Sequence, residues 1–537
     1  MADPVENKLN TKAAGIVGLA VMCSRVLGLI REQVFAWLFG GGREMDAFTV
    51  AFRTPNLLRD LFAEGALSTA FITTFSKKIV TEGEESAWKL ACKVGTLVVV
   101  VLSVLILVGI AVAPWLVKIM APGFASIPGK AELTVTLARI MYPFILLVSL
   151  GALTMGMLNA KNVFGVPAMA SSFFNIGSIV GGVAVGWWLD PHFGPGALTG
   201  LACGTLIGGA LQLGVQLPAL RRAGFRFRPD FAWRDEGVRT ILRTMGPAVI
   251  AASSVQVNVF INTWFASWLE DGTAYRLNIA FRLMQLPLGL FGVALGTVTL
   301  PVLSRAAAQG RQDEFRAVLA KGLRIAFLLT APATVGLVML ARPILSLLYE
   351  HGKFSAHATD QAALALSGYA VGLCAYSGLK ILAPAFYAID RRKTPMYVSF
   401  FAIVVNVALN YFFAFRLHLG IRGLSLATGG VALTNFLLLY ALMHRATQRL
   451  ETRRMAATLA KIALASAVLA GVCAAAQHWL LPAWPQFGLA LRIASLLGII
   501  AVAGAAFFAT AFLLRIEELD DLVALVRRKL ARGRRVD

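Results

Sequence analysis

Seven charged side chains stand inside two neighbouring apolar stretches near the N-terminus. Arg25, Arg31 and Glu32 lie in the first, and Arg53, Arg59, Asp60 and Glu64 in the second. A charge at the bilayer centre costs about 2.5–3.5 kcal/mol even on forgiving insertion scales, so such residues turn toward water, a partner or a ligand. In the second stretch Arg53, Asn56, Asp60 and Glu64 fall at i, i+3, i+7 and i+11, which gathers them on one helical stripe within about 80°. Arg59 lies about 120° from Arg53, and Arg31 about 120° from Arg25, while Arg25 and Glu32 share a face. Two such helices side by side line a wide aqueous cavity rather than a narrow wire. Arg282 stands in a later apolar stretch.

Several guanidiniums with few acids suit a diphosphate. Arginine presents a planar fork to phosphate oxygens and does not lose its charge. The competing reading is that these arginines only brace the bundle by pairing with Glu32, Asp46, Asp60 and Glu64. Arg25, Arg31, Arg53, Arg59 and Arg282 exceed the nearby acids by one. That surplus favours an anionic ligand, and a bundle has cheaper ways to be braced.

The elements that carry these residues follow from composition. The chain has 537 residues, is 58% hydrophobic and only 15% charged, and its mean hydropathy is +0.72. With apolar runs near twenty residues recurring along it, this is a polytopic membrane protein and not a soluble enzyme. Hydrophobic windows between Gly, Pro and charged punctuation give about fourteen spans: 13–39, 46–76, 92–119, 133–158, 166–189, 196–219, 240–268, 274–304, 316–341, 358–388, 395–415, 422–444, 457–480 and 488–514. The net charge of +22 is concentrated in alternate loops, among them Lys77-Lys78, Arg221-Arg222 and Arg391-Arg392-Lys393. About thirty basic residues on one side face about seven on the other, a positive-inside bias that places both termini in the cytoplasm. This distribution calls for no nucleic-acid partner. The first span is expected to be retained, with no removable signal peptide. Five cysteines lie far apart with no metal spacing and read as packing residues. The tail after Arg515 places Leu519, Leu522, Val523, Val526 and Leu530 on one face, as in a helix lying on an anionic leaflet.

The chain also repeats itself. Ala51-Phe52-Arg53 returns as Ala280-Phe281-Arg282 at an offset of 229, and Asn159-Ala160-Lys161-Asn162 parallels Ala388-Ile389-Asp390-Arg391 at the same offset. Each unit holds six spans, so both halves enter the membrane in the same direction, as in parallel-repeat transporters. The last two spans fall outside the repeat.

Ser24-Arg25-Val26-Leu27-Gly28 with Arg31, Asp46-Ala47-Phe48, Phe52-Arg53-Thr54-Pro55-Asn56-Leu57-Leu58-Arg59 and Phe62-Ala63-Glu64-Gly65-Ala66 resemble the signature of the MurJ (MviN) family. So do Arg282-Leu283-Met284, Gly292-Val293-Ala294-Leu295-Gly296-Thr297 and Lys380-Ile381-Leu382-Ala383-Pro384-Ala385-Phe386-Tyr387. These are lipid II flippases of the multidrug/oligosaccharidyl-lipid/polysaccharide exporter superfamily. The resemblance runs in order from about residue 12 to 515. It implies an all-α membrane protein of about fourteen helices, with two six-helix lobes around a central cavity and two extra C-terminal helices. The corresponding division is 1–225 for the N-lobe, 226–450 for the C-lobe, 451–515 for a lipid-tail groove and 516–537 for a basic tail.

The resemblance also implies roles. Arg25, Arg31, Arg59 and Arg282 match the family's cavity arginines, Asn56 its polar cavity position, and Asp46 and Glu64 its functional acids. Arg53 joins them as a substrate-binding candidate through its place on the polar stripe. The implied activity moves an undecaprenyl-diphosphate-linked peptidoglycan precursor from the inner to the outer leaflet of the bacterial cytoplasmic membrane by alternating access. No bond is made or broken. Expected partners are lipid II, membrane lipids and the cell-wall synthesis machinery, with the chain a monomer. No cofactor is expected; the energy comes from a coupling ion, sodium or proton, or from the membrane potential. Asn262, Asn406 and Asn410 are weak sodium candidates, and membrane asparagines more often form hydrogen bonds.

The sequence departs from the family pattern at Glu32, where Asp is common, and at Phe281 and Gln285, where acids are common. The last two losses remove the local acids of an ion-pair switch centred on Arg282. The alternatives are an exporter of another undecaprenyl-diphosphate glycan, a drug/cation antiporter of the same superfamily, and a membrane glycosyltransferase. A cation exporter calls for an acid-rich cavity, and a glycosyltransferase for an exposed acid pair with a large external domain.

Overall fold

The structure, a computed structural model, describes residues 11–59, 67–448 and 450–520. It is 86% helical with no strand among the described residues, so every layer is helix packed on helix. The chain divides into two compact units, 1–274 with 352–354, and 275–351 with 355–537. The helices of the first are α1 (Thr11–Phe39), α2 (Arg43–Arg59), α3 (Ser68–Glu82), α4 (Glu84–Met120), α5 (Lys130–Met141), α6 (Phe144–Ala160), α7 (Gly165–Leu189), α8 (Ala197–Gly214), α9 (Leu217–Arg222) and α10 (Glu236–Ala266). Then come α11 (Thr273–Pro287), α12 (Ala294–Ala308), α13 (Gln312–Met339), α14 (Ala341–Tyr349), α15 (Ala356–Val371), α16 (Leu373–Ala388), α17 (Lys393–Asn410), α18 (Gly420–Ala446), α19 (Thr452–Trp479) and α20 (Leu489–Leu513).

Among the described residues ten spans are long and apolar enough to cross a membrane, and the pair α15–α16, bent by 42°, makes up to eleven. The other three expected spans coincide with α1, with α2 and α3, and with α10, so the count of fourteen is not confirmed by length and composition. Each of these three includes residues that the structure does not describe in full, 60–66 between α2 and α3 among them.

In the first unit the tightest packing joins α7 to α8. A Cβ added at Gly200 would sit 2.2 Å from the Gly186 nitrogen, and one at Gly204 would sit 2.4 Å from the Gly182 Cα. Small residues that let two backbones touch are the usual means of holding membrane helices, where lipid tails remove most of the hydrophobic driving force. The glycines around Gly204 and Gly208 therefore serve packing. Helix α1 lies on α7, α2 on α5, and α10 on α3 and α4. Asp235 starts α10 by accepting the Gly237 N–H at 2.9 Å and binds Lys93 of α4 at 2.8 Å. The seventh expected span thus belongs by contact to the first unit, although it opens the second sequence repeat.

In the second unit α11 and α12 form one continuous rod of 36 residues, Thr273–Ala308. Pro287 cannot donate the helical hydrogen bond, and the chain widens there into a π-helical turn, Leu288–Val293. The sequence motif that follows has a packing explanation. A Cβ at Gly292 would meet the Ser377 Oγ at 2.8 Å, and one at Gly296 the Lys380 carbonyl oxygen at 2.5 Å, both on α16. Helices α19 and α20 pair with each other and, through α13, join the core of the unit. The expected surface helix after Arg515 begins differently from that reading: Ile516, Glu518 and Leu519 are buried in the second unit. Residues 521–537 lie outside the described residues.

Candidate functional site

The polar cluster of the first unit is built on α1 and α2. On α1 the described positions sort into two environments. Arg31 is buried; it donates through Nη2 to Glu32 Oε1 at 2.9 Å and lies over the Phe174 ring of α7 at 5.3 Å. One turn and a half earlier Arg25 is exposed. Between them Gly28 rests against the Asn175 side chain, whose Nδ2 donates to the Ser24 carbonyl at 3.1 Å. The α7 side chains thus fix the register of α1 at the point where Arg25 leaves it.

On α2, Arg53 donates through Nη1 to Thr263 Oγ1 of α10, and Thr263 is fully buried. Thr54 and Pro55 are buried, while Asn56 and Arg59 are half-buried. The buried Oδ1 of Asn56 has no hydrogen-bond partner among the described residues. An unmatched buried amide oxygen is costly, and a ligand or water donor is the usual remedy. Arg59 ends α2. Asp60 and Glu64 lie outside the described residues, so the acid half of the stripe has no structural account here.

Asp46 has a different setting from the one its sequence context suggested. It is 1% exposed and accepts Lys130 Nζ at 3.0 Å and the Gly272 N–H at 2.8 Å. Lys130, also 1% exposed, bridges on to Asp271 at 2.5 Å and lies 3.9 Å from the centre of the Phe124 ring. Asp46 therefore ties α2 to the first residue of α5 and to the turn before α11. Sequence reasoning counted Lys130 as an external loop residue and did not reach Asp271. The available signal was that an acid inside a span needs a partner, and lysine 84 positions onward supplies it.

In the second unit Arg282 is exposed on α11, with Phe281 beside it packed edge-on against Tyr369 at 5.3 Å. The aromatic ring thus fills space at the position where the family resemblance leads to the expectation of an acid. Asn410 Nδ2 donates to Asn406 Oδ1 at 2.8 Å, one turn apart on α17 and both buried. That bond links the two α17 candidates through the Asn406 oxygen. Asn262 is half-buried on α10. No group of three His, Cys, Asp or Glu able to hold a metal occurs among the described residues.

A second buried charge cluster was missed altogether. Arg324, inside α13 and 4% exposed, donates through Nε to Glu518 at 2.5 Å and through Nη1 to Glu451 at 2.8 Å. It was legible in the same way as Arg25, as a lone arginine in an apolar window.

Comparison with known proteins decides what this arrangement belongs to. A family model described as "Lipid II flippase MurJ" matches residues 35–495. The chain belongs to the MurJ family. A Burkholderia cenocepacia protein named "Lipid II flippase MurJ" is 40% identical over 423 residues, covering 78% of this chain and 81% of the relative. A Vibrio cholerae protein named "Probable lipid II flippase MurJ" is 34% identical over 536 residues, covering 98% and 99%. Among solved structures, "Lipid II flippase MurJ, inward closed conformation" superposes with a TM-score of 0.73 at 24% identity, covering 92% of this chain and 99% of that one. An inward-facing multidrug resistance MATE transporter superposes at 0.65 and 16% identity, covering 83% and 98%. At these identities the two superpositions establish the fold. The MurJ family consists of membrane transporters, not enzymes.

Proposed function

We propose that this chain carries lipid II, the undecaprenyl-diphosphate-linked peptidoglycan precursor, from the inner to the outer leaflet of a bacterial cytoplasmic membrane. The observation that carries this reading is the set of guanidiniums on α1 and α2 of the first unit, in a chain of the MurJ family. Arg25, exposed, and Arg59, half-buried, take the diphosphate and sugar headgroup as charge-assisted forks, and Arg282, exposed on α11 of the second unit, is a further substrate-binding candidate. Arg31 and Arg53 act from behind, because each is bonded within its unit, to Glu32 and to Thr263. Asn56 offers its carbonyl oxygen to a sugar or peptide N–H or O–H donor.

Both termini face the cytoplasm in this reading, on the strength of the basic loops, and α19 and α20 serve the undecaprenyl tail. The chain works as a monomer, with the cell-wall synthesis machinery as a partner. Transport proceeds by alternating access, driven by an ion gradient or the membrane potential. No step is assigned to sodium. A drug/cation antiporter is disfavoured by the arginine surplus, which repels cations.

The test is replacement of the native flippase in a depleted bacterium, with lipid II on the outer leaflet measured directly. Arg25→Ala, Arg59→Ala and Arg282→Ala, each at wild-type membrane levels, should abolish or sharply reduce export. Normal export by all three overturns the assignment. Repeating the assay without sodium, and then without membrane potential, separates the energy sources.

A further inference from the structure

Where α18 ends and α19 begins, two cavities of the second unit adjoin. One, of about 680 Å³, is lined by His444, Leu450, Glu451, Thr452, Arg453, Arg454 and Ala457. The other, of about 350 Å³, is almost wholly apolar and runs between α13, α16, α18 and α19; Phe327, Ala375, Phe436, Leu437, Ala456 and Leu459 are among its walls. Thr452 lines both. Both volumes fall in the usual range of small-molecule sites, about 300–1,000 Å³.

The polar cavity is organised at its floor. His444 Nδ1 accepts the Leu450 N–H at 3.1 Å, which leaves the ring proton on Nε2 as a donor. Thr452 Oγ1 lies 3.3 Å from the same Nδ1 and 3.2 Å from the Tyr440 hydroxyl. The one acid in the lining, Glu451, is held by Arg324 and approached by Arg454 at 3.7 Å. Arg454 is bonded to Glu517 as well. Arg453 is exposed and has no acid partner among the described residues. The apolar cavity opens on a surface where Leu433 and Leu437 are about half exposed, the face a bilayer acyl chain would wet.

A basic, hydroxyl-bearing cavity continuous with a narrow apolar groove has the chemistry of an anionic lipid headgroup above one of its chains. We propose that this seam is a binding site for an anionic glycerophospholipid. Its phosphate sits by Arg453, Thr452 and His444, and one acyl chain enters the groove beside Ala456. No residue of α20 lines it, so it lies on the side of α19 away from the α19–α20 seam, although the two share α19. The inference does not depend on what the protein transports.

The full chain, purified in mild detergent, is titrated with phosphatidylglycerol, phosphatidylethanolamine, undecaprenyl phosphate and inorganic phosphate, and bound lipid is counted by native mass spectrometry. Wild type should retain phosphatidylglycerol over phosphatidylethanolamine. Arg453→Ala should lower its retention about fivefold, the worth of one basic residue near an anionic lipid. Ala456→Trp, an exposed position that can take the larger side chain, should bring retention to the phosphatidylethanolamine level by filling the groove. Outer-leaflet lipid II should be unchanged in Arg453→Ala. Equal binding of the two phospholipids, or unchanged retention in both variants, overturns the proposal. So does displacement of phosphatidylglycerol by inorganic phosphate alone. Displacement by undecaprenyl phosphate, with Ala456→Trp blocking export, also overturns it, because the groove would then belong to the transported carrier.

Discussion

Replacing Lys130 with Met isolates what Asp46 does. The substitution keeps length and bulk, and its thioether can rest on the Phe124 ring that now receives the ammonium. What it removes is the cation 3.0 Å from a carboxylate that is 1% exposed. Taking one partner from a buried ion pair costs about 3–5 kcal/mol, because a charge is left without compensation. The Gly272 N–H still reaches Asp46, so the lower end, about 3 kcal/mol, applies, roughly two powers of ten in the folding constant. Asp46→Asn alone strands Lys130 less severely, because Asp271 remains at 2.5 Å. The double variant leaves no buried Asp46 charge and should recover to within about 1 kcal/mol of wild type. Unfolding in graded SDS, followed by helical circular dichroism, gives the four corners of the cycle, and outer-leaflet lipid II gives the activity of each. Recovery of both stability and export in the double variant would make Asp46 a bracing group. A Lys130→Met loss below about 1 kcal/mol, or strictly additive effects, would refute the reasoning.

Four further outcomes follow from the geometry. Gly200→Leu should prevent α7 and α8 from closing, since even a Cβ would lie 2.2 Å from the Gly186 nitrogen, and folded protein in membranes should fall strongly on a fluorescence size-exclusion profile. Arg324→Gln should destabilise by about 3 kcal/mol, because Glu518 remains buried without its guanidinium, and the double change Arg324→Met with Glu518→Leu should restore most of the loss in the same SDS titration. Asp235 sets a pH dependence. Burial opposes its charge, but the Lys93 hydrogen bond and the Gly237 N–H outweigh burial and hold its carboxyl below the usual 3.8. Its contribution is therefore present above that value and lost as pH falls through the lower, folded value, so Asp235→Asn should flatten stability below about pH 4 while leaving its slope above pH 5 unchanged. Asn56→Leu should reduce export without loss of stability, because the unmatched Oδ1 it removes serves no partner in the described protein.

Most helices were legible because apolar runs bounded by charge and glycine translate directly into spans, as α4, α7, α13 and α18 to α20 show. The charged helices were legible as chemistry but not as geometry. Periodicity puts Arg25 and Arg31 on different faces; only the contact with α7 shows that Arg31 is covered and Arg25 is not. Pairing was the least readable part. Asp46 finds its base 84 positions later and its backbone donor at Gly272, while Arg324 finds Glu518 across 194 positions. Nothing local to either residue encodes such a choice. The π-helical turn after Pro287 had a local cause, yet proline alone does not distinguish a kink from a widened turn. The position of α10 was hidden for the opposite reason: the internal repeat assigns it to one half and its contacts to the other.

That assignment has a consequence in time. The chain is made from its N-terminus, and the first unit receives several of its pieces after its main body. Thr263, which binds Arg53, and Asp271 and Gly272, which complete the Asp46 cluster, emerge about 50 residues behind α9. At about 5–20 residues per second this is a delay of roughly 2.5–10 s. During that interval α2 sits in or beside the membrane with part of its polar surface unmatched. Nascent chains halted after residue 225 should therefore be trimmed by membrane proteases far faster than chains halted after residue 275, and the young helix depends on whatever shields it until its partners are synthesised.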